Sequence, residues 1–145
     1  MSKADIAEKI FASHKNCAQA VIAAYAEDFK LDKDKALSVA VGFGGGMGRL
    51  QETCGAVTGA IMVLGLSSDF KDSDGRDKIN DAYAKVRSFI EEFEKEKGTV
   101  NCRKLLGCDL LTDEGQKYFN DHKLRDNCTG FVRLACDLLD KRLAK

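Results

Sequence analysis

Apolar positions recur along this chain three and four residues apart, the spacing of helices, and seldom alternate as in strands. Residues 3 to 12 place Ile6, Ile10 and Phe11 on one side of a first predicted helix. A second runs from 16 to about 29, headed by Asn16 with Gln19 three residues on, the pattern of a capping box. After a break at 31 to 33, a third spans 34 to 41, entered through Asp32 or Asp34. The fourth, from Cys54 to about Leu66, is apolar nearly all round and is expected at the buried centre. A long amphipathic helix over 76 to 97 carries Ile79, Tyr83, Val86, Ile90 and Phe93 on one stripe. Short helices at 102–106 and 113–122 precede the last, at 128–143, where Phe131, Val132, Ala135, Leu139 and Leu143 continue a core-facing stripe from Cys128. No hairpin signal stands between alternating runs. The expected fold is all-α: one compact helical domain over 1–145, with about five to seven helices packed around the apolar helix at 54–66.

Composition and charge narrow the function classes. Lys plus Arg equals Asp plus Glu at 23 each, so there is no electrostatic footprint for nucleic acid or an anionic membrane. The first nine residues mix charges and lack the apolar core of a signal peptide. The longest apolar stretch, at 55–66, falls short of the about 20 residues that span a bilayer. These features point to a cytoplasmic protein without membrane insertion. Six cysteines then become the informative residues. In a reducing compartment, such a set in a helical chain points to metal or redox chemistry before structural disulfides.

No two cysteines have the Cys-x-x-Cys spacing, so any shared site must be assembled by the fold. Their neighbours divide them. Cys17 follows Asn16, Cys54 follows Thr53, Cys102 follows Asn101 and Cys128 follows Asn127. Asn and Thr are favoured helix N-caps, which predicts each of these sulfurs in a first helical turn. Free N–H groups and the positive end of the helix dipole favour an anion there, and so a lowered thiol pKa. Cys108 and Cys136 lack that context and are expected to be core residues. Cys136 also lies eight residues beyond Cys128, about 12 Å along one helix.

The run Gly42-Phe43-Gly44-Gly45-Gly46-Met47-Gly48 does not end in the Lys-Ser/Thr of a phosphate loop, and no strand precedes it. It predicts a tight loop that lets backbone approach a buried object, with Gly45 and Gly46 as candidate N–H donors to sulfur. Gly55 and Gly59 predict a close helix crossing. His14 and His122 have no partner at helical spacing and are expected at the surface.

These segments together resemble a known family. Asn16-Cys17-Ala18-Gln19-Ala20-Val21, Gly44-Gly45-Gly46-Met47-Gly48-Arg49, Cys54-Gly55-Ala56-Val57-Thr58-Gly59, Cys102-Arg103-Lys104-Leu105-Leu106-Gly107 and Cys128 are similar, in order and spacing, to the C_GCAxxG_C_C family. Its members are redox-active proteins of about this size, defined by four cysteines and a Cys-Gly-Ala-x-x-Gly motif. A similar cysteine module accompanies the haem region of split-Soret cytochromes, where an iron–sulfur role is implied. The resemblance implies that Cys17, Cys54, Cys102 and Cys128 are the working set.

The leading expectation is an iron–sulfur cluster, 2Fe–2S or 4Fe–4S, held by those four cysteines and used in electron transfer with a redox partner protein. A metal-free thiol–disulfide protein with Cys54 as its reactive thiolate is the alternative. A structural zinc ion ranks below both. A homodimer formed through the stripe from Tyr83 to Phe93 is the remaining expectation.

Overall fold

The computed structural model describes residues 1–143. It contains eight α-helices: α1 (Lys3–Ala12), α2 (Cys17–Tyr25), α3 (Lys33–Ala40), α4 (Gly55–Ser68), α5 (Arg76–Lys97), α6 (Cys102–Leu106), α7 (Asp113–Asp121) and α8 (Leu124–Leu143). Among the described residues there is no strand, and one isolated antiparallel bridge joins Thr53 to Asn101. The fold is all-α, as expected. The eight helices answer to the eight segments predicted one by one and exceed the five to seven expected of the bundle; the short α6 and α7 carry their own caps, Asn101 and Thr112.

Local chemistry explains most boundaries. The Asn16 carboxamide accepts from the Gln19 N–H at 2.9 Å, while Gln19 Oε1 accepts from the Asn16 N–H at 3.0 Å. That reciprocal pair opens α2. Asp32 rather than Asp34 caps α3, accepting from the Lys35 N–H. The second helix ends sooner than expected, at Tyr25, and a 3₁₀ turn over Glu27–Phe29 follows. Two acidic residues, Glu27 and Asp28, are poorly matched to the negative end of a helix dipole. A left-handed Lys30 then closes the turn.

Two starts differ from expectation. Cys54 is itself the N-cap of α4, and Thr53 is engaged in the bridge to Asn101. The last helix begins at Leu124, a full turn before Cys128, which leaves Asn127 inside it. Leu124 packs against the core and Arg125 is anchored by its side chain, so both hold helical backbone ahead of Asn127.

The central helix is α4, packed against α2, α5 and α8. Its crossing with α2 is close. A Cβ added at Gly59 would lie 2.8 Å from the Ala18 carbonyl oxygen and 3.1 Å from Ala18 Cα. Gly59 thus lets the two backbones meet. Phe89 stacks on Phe93 within α5, with ring centroids 6.5 Å apart, and Phe93 meets Phe131 of α8 at 6.4 Å.

The α5 stripe is only partly as expected. Phe93 is fully buried, but so is Phe89, which the stripe omitted, and Tyr83 is 55% exposed. Replacing Phe89 by alanine is expected to cost about 3–5 kcal/mol of stability, whereas Tyr83→Ala should stay within about 0.5 kcal/mol. Urea denaturation of both variants checks this. No helix among the described residues is long and apolar enough to cross a membrane.

Candidate functional site

Cys17, Cys54, Cys102 and Cys128 line one cleft of about 920 Å³. Cys17 is the first residue of α2, Cys54 caps α4, Cys102 begins α6 and Cys128 lies in the second turn of α8. Backbone pairing brings two of them together. The Cys54 N–H donates to the Val100 carbonyl at 2.7 Å, and the Cys102 N–H donates to the Glu52 carbonyl at 2.7 Å. Segments 51–54 and 100–103 are thereby held side by side. The α2–α4 crossing supplies the third, since a Cβ at Gly55 would come within 3.1 Å of Cys17 Cβ. The fourth, Cys128 of α8, lines the same cleft, and its thiol couples to that of Cys17.

The remaining two cysteines do not line the cleft. Cys136 is fully buried in the core, near Tyr25, whose hydroxyl donates to Asp140 at 2.7 Å. Cys108 is also buried, and its carbonyl accepts from Gln51 Nε2 at 2.8 Å.

Burial reverses the electrostatic expectation at the helix starts. The Cys54 thiol is pushed up to about 11 by desolvation, against the opposing effect of the Ala56 and Val57 N–H groups. Desolvation likewise raises Cys102 to about 12, with the neighbouring Cys54 and Cys128 adding to it. Cys17, half-buried at the cleft, rises well above its ordinary value because the neighbouring Cys128 sulfur favours its protonated form and because the thiol is desolvated. Only Cys128 is lowered, first by the neighbouring Cys17 thiol and then, against its own desolvation, by the Arg125 guanidinium. A first-turn dipole is worth about 1 kcal/mol, less than the cost of placing a thiolate away from water.

Unfolded thiols ionise near their ordinary 9.0, while buried Cys54, Cys102 and Cys136 hold their protons to about 11 or 12. Their contribution is therefore complete below about pH 9 and is lost as pH rises toward 12. Reduced, metal-free protein should show a falling Tm by circular dichroism between pH 8.5 and about 10.5. A constant Tm over that interval would contradict the buried assignment.

The glycine run forms an unusual turn. Gly45, Gly46, Met47, Gly48 and Arg49 all take positive φ, between 58° and 71°. Later N–H groups bond back across it, such as Gln51 to Gly45 O at 3.0 Å and Glu52 to Gly46 O at 2.9 Å. Gly45 and Gly46 line the cleft, and their own N–H groups donate to no acceptor among the described residues. Gly46 also packs against Cys102.

Some residues that support or line the cleft had no marker in the sequence. Gln51 is 3% exposed and ties this loop to Cys108 and Leu110. Arg125 donates to the carbonyls of Phe11 at 2.7 Å and Lys15 at 3.1 Å. Its place three residues before Cys128 puts both on one helix face, the one signal that could have found it. His14 is exposed as expected, yet stands at the lip of the cleft, and His122 stacks on Tyr118 at the surface.

Among the described residues, no group of three or more His, Cys, Asp or Glu is placed to hold a single metal ion. The four thiols border a shared space rather than converge on a point. No curated relative and no solved structure matches the chain. A family model does match, over residues 15–142 of the 145, and takes in all four cleft cysteines. By that match the chain belongs to the C_GCAxxG_C_C family, described as "Putative redox-active protein".

Proposed function

We propose that this redox-active protein carries an iron–sulfur cluster on Cys17, Cys54, Cys102 and Cys128 and transfers electrons with it. One observation carries the reading: these four cysteines, from four separate elements, line one cleft, while Cys108 and Cys136 do not. The donor set fits the group. Four cysteine sulfurs are the usual ligand complement of such clusters, and a shared space suits several irons better than one zinc ion, which needs all its sulfurs about 2.3 Å from a single centre. When bound, the cluster would supply reversible electron storage. The chain's residues do the rest. Leu105, Leu106, Leu110, Phe119 and Phe131 give the cleft apolar walls that limit water. Arg125 sets a positive charge beside Cys128, which raises a reduction potential. Protein purified without air should be brown and contain iron and acid-labile sulfide. A colourless, iron-free product after anaerobic incubation with iron and sulfide would end this reading.

The coupling of the Cys17 and Cys128 thiols in one cleft favours a second reading, a metal-free dithiol. There the two thiols together lose two protons and two electrons to an oxidant such as oxidised glutathione, and one S–S bond forms. Cys54, held up to about 11 by burial, is then less suited than Cys128 to attack as thiolate. Peptide mapping after mild oxidation should find Cys17 joined to Cys128; six free thiols would end the reading.

A further inference from the structure

The cleft is larger than four sulfurs require. At about 920 Å³ it matches pockets that enclose small molecules, which run to about 300–1,000 Å³. Its charge is one-sided. The chain carries 23 cations and 23 carboxylates, yet Lys15, Arg49 and Arg125 line the cleft with His14, and among the described residues no Asp or Glu does. None of the three makes an ion pair among the described residues. Unpaired lysines occur elsewhere on the surface. These cations differ in lining one concavity, where the Lys15 ammonium also donates to the Ser13 carbonyl at 3.0 Å.

The surrounding groups are arranged to hold an anion. Arg125 is fixed by two carbonyls and by the Phe11 ring, 3.8 Å from its guanidinium carbon, and its Nη1 and Nε groups are left over. Gly45 and Gly46 present consecutive N–H groups in left-handed backbone that bond nothing else in the described chain. Consecutive N–H groups of this kind form an anion-binding concavity. Arg49 is exposed and Lys15 half-buried, whereas the sulfurs of Cys54 and Cys102 lie deep. The cleft therefore has a cationic outer part and a sulfur-lined inner part.

We propose that the outer part binds a small anionic molecule through a carboxylate or phosphate group, held by Arg49, Lys15 and the N–H groups of Gly45 and Gly46. A concave site of this size favours a small molecule over an acidic protein surface, which would need an open face. The proposal goes beyond the cluster reading and stands on cations and backbone, whatever the sulfurs hold.

Isothermal titration calorimetry with succinate and with inorganic phosphate tests it, using anaerobically purified protein at low salt. Saturable binding of either anion supports the site, and the one that binds names the group. Arg49→Gln and Lys15→Gln should each weaken binding by about tenfold or more, with Arg49→Lys retaining part of it. Lys141→Gln, whose lysine pairs with Glu92 near the end of α8 and does not line the cleft, should change nothing. No saturable heat with either anion, or equal binding by Arg49→Gln and Lys15→Gln, would overturn the proposal. So would binding of a polyglutamate peptide with neither small anion bound. Iron measured in the same samples reports separately on the cluster: anion binding without iron keeps this site and ends that reading, and iron without anion binding does the reverse.

Discussion

Replacing Cys54 by serine is expected to cut the iron content of the anaerobically purified protein by at least about tenfold, with loss of the visible absorption. Serine offers a shorter, harder oxygen that rarely ionises at neutral pH, so one corner of the ligand set is lost. Cys54 is 4% exposed and its backbone is pinned to Val100, so the chain cannot shift to bring another donor into place. Serine at Cys17, Cys102 or Cys128 should behave alike. Alanine at Cys108 or Cys136 provides the contrast. Neither lines the cleft, so both variants should keep their iron, although Cys136→Ala leaves a small void in a fully buried site. Iron retained in full by any of the four serine variants would remove that residue from the set. Iron lost in Cys108→Ala would draw Cys108 into it.

The second large effect concerns the glycine turn. Gly46→Ala should destabilise the protein by roughly 3 kcal/mol or more, and Gly48→Ala by only about 1 kcal/mol. Both glycines have left-handed backbone, with φ of 66° and 58°, so both alanines are strained. Only Gly46 is also enclosed. A Cβ there would lie 2.7 Å from Gln51 Cα, 2.8 Å from Cys102 Cβ and 2.8 Å from the Glu52 nitrogen, whereas nothing lies within 4 Å of one at Gly48. Two of those three neighbours are backbone and cannot rotate away. The strain must instead pass into the 51–54 and 100–103 pairing, which positions Cys54 and Cys102 together. Urea denaturation measures the difference between the two variants. Gly46→Ala should also lose iron where Gly48→Ala does not. Equal stabilities would show that the turn relaxes freely and does not support Cys102.

Much of this architecture was legible in the residue order, for an identifiable reason. The bounds of α1 and α5, and the cap of α2, rest on hydrogen bonds and dipoles that reach three or four residues, within the span of a sequence pattern. The same locality misled at α8. Asn127 has the chemistry of a cap, but the helix had already begun at Leu124, held by tertiary anchors on Arg125. Cys128 thus belongs to the cleft without standing at a helix start. Tyr83 and Phe89 make the related point for burial. Both fit an amphipathic helix, and only the packing of α4 and α8 against α5 decides which one is covered.

By itself, then, the sequence determined that the chain is helical, where most helices begin and which four cysteines to consider, because propensity, capping and periodicity are local. Tertiary structure alone decided that their sulfurs share one cleft, that burial outweighs the helix dipole at Cys54 and Cys102, and that Lys15, Arg49 and Arg125 stand beside them without a carboxylate. Those properties depend on desolvation and on charges brought together from distant segments. Arg125 and Phe11 meet across 114 positions of chain, and no short window of residues contains both.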